Sequence, residues 1–339
     1  MNQTTQMHQI AHELPEYRNF FSPHYCDGTL ELLRKANLLE STILGNRHID
    51  RCMEYLQHHN LDVDFQGRNG NYDLVVTCSD LVIPKNILRS RVLLVQEGMT
   101  DPETLVYQLV RRFRFLPRWL SSTAAMGISN QYDRFCVASE GYRDLFTRKG
   151  AKREKLVVTG IPNFDDCKKY LRNTFPYRNY VLVCTSDVRE TYKYENRKRF
   201  ILEAVRIADG RHLIFKLHPN ENARRATREI EQSAPGALVF ATGNTGEMIA
   251  NCDVLITRYS STAYVGLALG KEVYSDFDVD ELKTLTPIQN GRAAANIATV
   301  CRELLEGTST TAAESQTVEA KVSSPHVRFA KSAASGTSG

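Results

Sequence analysis

No apolar run in this 339-residue chain approaches the roughly 20 residues that a bilayer-spanning helix needs. The first fourteen residues also lack the apolar core of a secretion signal, because Gln, His, Thr and Glu interrupt them. Eight cysteines are scattered without a CxxC pair, which argues against a structural zinc or a disulfide scaffold and for buried reduced thiols. Charge of one sign is scarce as well. The 43 basic and 39 acidic residues leave a net +4, too little to imply a nucleic-acid partner. No loop carries a convincing DxD metal motif, Asp278-x-Asp280 being the nearest, so metal-independent chemistry without a cofactor is expected. No internal repeat is present. A cytoplasmic protein is expected from these absences.

What the chain does contain is 42% hydrophobic residues and a mean hydropathy of −0.37, enough for two α/β domains of ordinary size. Apolar runs at 72–78, 91–95, 134–138, 155–158 and 180–184 have the character of strands buried on both faces, and 41–44 is a shorter candidate. Helical spacing occupies 27–37, 51–59, 140–149, 197–208 and 296–305, and Pro102 suits the first position of a helix. The turn-rich stretch 159–165 divides the chain. This gives an N-terminal domain at 1–165, a C-terminal domain at 166–306, and a Ser/Thr/Ala/Gly-rich tail at 307–339 expected to be disordered. Repeated strand–helix units imply parallel sheets, which bind ligands at the carboxyl ends of their strands.

Two polar signatures stand at such ends. Leu213-Ile214-Phe215-Lys216-Leu217-His218-Pro219-Asn220-Glu221-Asn222 runs from a strand into a charged helical pattern expected over 221–232. Val254-Leu255-Ile256-Thr257-Arg258-Tyr259-Ser260-Ser261-Thr262 leads through a polar turn into a small-residue helix stopped by Gly270.

Two α/β halves closed by a helix resemble the GT-B fold, the two-Rossmann-domain architecture of nucleotide-sugar glycosyltransferases and of UDP-N-acetylglucosamine 2-epimerases. The stretch 133–165 looks like the end of the N-terminal half in that superfamily. KLHPNEN is similar to the K-x-H-P signature of capsule-polymer and CDP-glycerol glycerophosphotransferase families, and RYSSTAYVGLALGKEV to the shared Ser-rich turn and helix. Glu97-Gly98 stands where the polymer transferases carry a His-Gly pair, and no carboxylate falls at 264–266, where the epimerases have an acidic pair.

The resemblance implies a nucleotide-diphosphate sugar donor, UDP-linked in many relatives, and a glycan or lipid-linked acceptor in cell-surface glycan or glycolipid synthesis. Lys216, His218, Arg258, Ser260, Ser261 and Thr262 are the expected donor contacts, with Thr185 and Ser186 after the first strand of the second half. For these last two a helix-capping turn is the competing reading. Glu221 either binds a donor hydroxyl or starts its helix favourably. Glu97 is the expected acid–base residue, Asp80 the reserve, and His218 a further catalytic candidate. The rival functions are a UDP-sugar 2-epimerase, a polyol-phosphate transferase, and a non-catalytic nucleotide-sugar-binding protein.

One stretch lies outside this scheme. Residues 111–120 (RRFRFLPRWL) interleave four arginines with aromatics and hold the only Trp. Either the aromatics pack inward beneath solvated arginines, or the segment makes a peripheral contact with an anionic membrane face.

Overall fold

In a computed structural model the chain is described at residues 2–24, 26, 28–36, 46–113, 115–191 and 194–322. The candidate strand at 41–44 and the end of the tail, 323–339, lie outside these residues. In the N-terminal half, β1 (Leu74–Thr77), β2 (Arg91–Val95), β3 (Arg134–Val137) and β4 (Leu156–Val158) form a parallel sheet in sequential order. In the C-terminal half, β5 (Val181–Cys184), β6 (Leu213–Lys216), β7 (Leu238–Phe240), β8 (Val254–Ile256) and β9 (Glu272–Tyr274) form a second parallel sheet, ordered β7-β6-β5-β8-β9. The chain therefore has two Rossmann-like parallel-sheet domains. The sheet order reverses at β5, so the crevice at a topological switch point opens between the ends of β5 and β8.

The helices are α1 (Asn2–His12), α2 (Gly28–Lys35), α3 (Asn46–His58), α4 (Leu105–Arg112), α5 (Glu140–Lys149), α6 (Arg197–Ala208), α7 (Ala223–Ser233), α8 (Thr245–Asn251), α9 (Thr262–Ala268), α10 (Val279–Leu285) and α11 (Ala293–Val322). None of those described is long and apolar enough to cross a membrane. No disulfide joins the eight cysteines, and all but Cys52 are buried.

The pleat divides each sheet's side chains between two cores. On one face of the second sheet, Val181, Val183, Phe215 and Ile256 meet Phe200 and Ile201 of α6 and Ile230 of α7. On the outer face of the first sheet, Leu93, Val95 and Cys136 meet Ile10 of α1 and Ile297, Ala298 and Cys301 of α11. The remaining faces share one continuous core, from Leu94, Phe135 and Val137 to Leu182, Leu255 and Val273. The two halves are thus joined through packed side chains as well as through the connecting turn.

Three expectations need correction. Helix α11 packs on the first sheet rather than completing the second domain, because its apolar stripe fits the Leu93–Val95 face. The bounds of α11 run to Val322. Pro102 does not open a helix; Thr104 caps α4 and accepts from the Tyr107 N–H. Likewise α7 begins after Asn222, whose side chain accepts from Arg225, so Glu221 lies outside the helix.

Candidate functional site

At the carboxyl edge of the second sheet, Thr185 follows β5 and is buried. Its hydroxyl donates to the Glu221 carboxylate and accepts from the His218 N–H at 3.1 Å. The two strand ends are fixed to each other by that side chain. The His218 imidazole is 37% exposed. Its Nδ1 lies 3.2 Å from the Asn220 backbone nitrogen and 3.5 Å from Asp187 Oδ2.

A chain of ion pairs connects this corner to the second signature. Arg197 Nη2 bridges Glu221 at 2.7 Å and Glu195 at 2.8 Å, all three side chains being almost wholly buried. Glu195 also lies 3.4 Å from Arg258 Nη1, and Arg258 Nε donates to Asp276 at 2.6 Å. Arg189 adds a bidentate pair with Glu229 at 2.8 and 2.9 Å. Orphaning one member of such a buried pair costs about 3–5 kcal/mol. A charged hydrogen bond to a ligand returns about 1.5–3 kcal/mol. Arg197 and Glu221 therefore stay with each other.

This corrects several donor contacts expected from the sequence. Glu221 is committed to Arg197 and Thr185, and Thr185 is the hub that locks the two strand ends. Ser186 donates to Glu195 at 3.2 Å. Arg258 is shared between Asp276 and Glu195 and lies over the Phe200 ring. Lys216 is buried, and its ammonium donates to the carbonyls of Leu217 (2.8 Å) and Ala241 (3.3 Å); burial lowers its pKa. These groups hold the edge in shape. The hydroxyls of Ser260 and Thr262 remain at the turn after β8, 3.0 Å apart, and Ser261 makes no capping bond to α9.

Across the crevice, Glu97 follows β2. The buried Gln96 fixes its loop: its side chain accepts from Ala138 N–H at 2.9 Å and donates to Gly98 O at 2.8 Å. Glu97 is half-buried, and burial pushes its carboxyl pKa up; the Gln3 amide, donating at 2.6 Å, pulls it part of the way back. A β-carbon built on Gly98 would stand 3.6 Å from Ser261 Oγ and 3.7 Å from the Phe164 ring, so the loop after β2 and the turn after β8 meet here in close contact. Asp80 does not share this position. It is fully buried and accepts from Gly127 N–H at 2.9 Å and Ser129 N–H at 3.1 Å, which makes it the anchor of that turn and not a reserve base.

The structure thus brings Gly98, the residue after Glu97, to Ser261, while His218 stands at the end of β6, with β5 between that strand and β8. It also adds residues the sequence reading missed. Arg51 of α3 donates to Asn220 at 3.1 Å, carrying a cation from the first domain to the His218 corner. Gln3 of α1 reaches Glu97, and Glu195 with Arg197 joins the Glu221 and Arg258 side chains. Only their placement reveals them, since none lies in a motif.

No protein-family model matches the chain, and no curated protein matches it. Solved structures do. The UDP-GlcNAc 2-epimerase of Methanocaldococcus jannaschii in complex with UDP-GlcNAc and UDP aligns with a TM-score of 0.50 at 13% identity, over 89% of this chain and 97% of that one. The Neisseria meningitidis UDP-GlcNAc 2-epimerase bound to UDP-GlcNAc gives 0.51 at 13%, over 88% and 96%. S. aureus MnaA with UDP gives 0.54 at 11%, over 90% and 94%. At such identities the likeness is one of fold, the GT-B arrangement of two parallel-sheet domains.

Proposed function

We propose that the protein is an enzyme that holds a nucleotide-diphosphate sugar at the edge formed by β5, β6 and β8 and transfers the sugar to an acceptor hydroxyl. The observation that carries this reading is the meeting of Glu97-Gly98 with Ser261. The loop that carries the half-buried Glu97, whose pKa burial raises, approaches the turn after β8 through its next residue, Gly98. UDP is the favoured nucleotide, because three proteins of this architecture hold UDP or UDP-GlcNAc.

In this mechanism the acceptor hydroxyl gives its proton to Glu97 as its oxygen bonds to the anomeric carbon. The bond from that carbon to the phosphate oxygen breaks, and the nucleotide diphosphate leaves with the electron pair. On this reading Arg51, His218 and the hydroxyls of Ser260, Ser261 and Thr262 are the donors that would meet its charge. A carboxylate with raised pKa is a stronger base than an ordinary one.

The test is turnover of UDP-, CDP- and GDP-sugars with and without pooled glycan and lipid acceptors. Nucleotide release should require the acceptor, and Glu97→Gln should lower kcat about 10²–10⁴-fold. The fold neighbours favour one other reading, a UDP-sugar 2-epimerase, with Glu97 taking a proton from carbon. Isomerised sugar formed without any acceptor would decide for it. Full turnover by Glu97→Gln would remove both.

A further inference from the structure

Helix α4 and the turn after it reverse the usual sidedness of a surface helix. Tyr107 and Val110 are buried and fix α4 to the domain. Its outward face carries Leu105, 84% exposed, and Leu109, and continues into exposed Phe113, Phe115 (82% exposed), Trp119 and Leu120. Expected inward packing of the aromatics is therefore not what occurs. A water-facing surface helix would show polar residues here. Arg111 and Arg112 are exposed beside this face, the Arg112 guanidinium lying 6.0 Å from the Phe113 ring centre. Across 102–120 the sequence has four arginines and a single acidic residue, Glu103.

We propose that this face docks on an anionic lipid surface, with the apolar side chains entering the headgroup boundary and the arginines meeting lipid phosphates. Charge selects this occupant over a second copy of the chain. A two-fold contact through the same patch would set Arg111 and Arg112 against their own copies, a like-charge arrangement that opposes association. The segment begins directly after the Glu97 loop, so docking would hold the first domain's side of the crevice near the membrane.

Trp119 is the only tryptophan, so its emission reports the patch directly. Vesicles of phosphatidylglycerol and phosphatidylcholine in equal parts should shift that emission to the blue and co-sediment the full-length protein. Phosphatidylcholine alone should not, and high salt should weaken the effect. Arg111→Gln with Arg112→Gln should weaken vesicle binding about 25-fold. Leu109→Ser with Phe115→Ser should abolish the blue shift while leaving the melting temperature and circular dichroism intact. Unchanged emission and no co-sedimentation with the phosphatidylglycerol vesicles would overturn the proposal. So would a dimer in light scattering that Leu109→Ser and Phe115→Ser dissociate, since that assigns the face to a second copy. The readout is binding alone and is independent of turnover.

Discussion

Glu97 sits half-buried and accepts from the Gln3 amide, and burial raises its folded-state pKa above the ordinary carboxylate value. Folding therefore favours the protonated form. That contribution to stability is complete below the unfolded pKa of about 4.3 and is lost as pH rises through the higher folded value. Gln cannot ionise, so Glu97→Gln should melt above wild type at pH 8, with the difference closing toward pH 4. Melting curves across that range check the sign. In the buried network, Glu221→Gln or Arg197→Met alone should each cost about 3–5 kcal/mol in urea unfolding. The double variant should cost much less than their sum, because the two share one interaction. The residue types of this site were legible in the sequence, but their duties were not. Lys216, Thr185 and Glu221 have the chemistry of ligand contacts, and only the folded arrangement shows the protein groups they bind. Asp80 misleads for the same reason, since its two backbone donors lie in a loop far along the chain.

Among the elements, the strands were the most readable, because apolar runs buried on both faces leave few alternatives; β2 occupies the expected residues 91–95. Helix α5 likewise spans Glu140–Lys149 and ends at Gly150, which adopts φ 112° as a left-handed cap. Helix α1 was not anticipated. Its sequence is mostly Gln, Thr and His, and its stability comes from packing Ile10 beside α11 rather than from a strong apolar stripe. Yet α1 matters to the site, because it delivers Gln3 to Glu97. Gln3→Ala removes a hydrogen bond that favours the ionised carboxylate, so the Glu97 pKa should rise further. The acidic limb of kcat/KM should then move to higher pH, which a pH–rate profile would show; an unmoved limb would detach Gln3 from the base.

Across the whole molecule, the two parallel sheets could be read from strand–helix repetition. Their shared core could not, since periodicity carries no information on which face meets which domain. Contact between the halves is tight where α5 meets α10. Ser139 Oγ lies 3.3 Å from Leu285 O, Tyr142 and Tyr264 bond through their hydroxyls, and a β-carbon on Gly141 would fall 2.2 Å from the Thr284 carbonyl oxygen. That neighbour is backbone and cannot rotate aside. Gly141→Ala should therefore force the halves apart at this edge, at a cost of about 1–3 kcal/mol in chemical denaturation, with both sheets intact. The account as a whole depends on a nucleotide diphosphate binding at the strand-end edge that includes the turn at Ser261. The most direct measurement is a thermal-shift titration of wild type and Ser261→Tyr with UDP, CDP, GDP and their sugars. One nucleotide should raise the wild-type melting temperature progressively, approaching about 2.7 kcal/mol of stabilisation at a hundred times its Kd. Ser261→Tyr should fold and show no such rise. A wild-type protein that no nucleotide stabilises at millimolar concentration, or a Ser261→Tyr variant stabilised equally, would contradict the account.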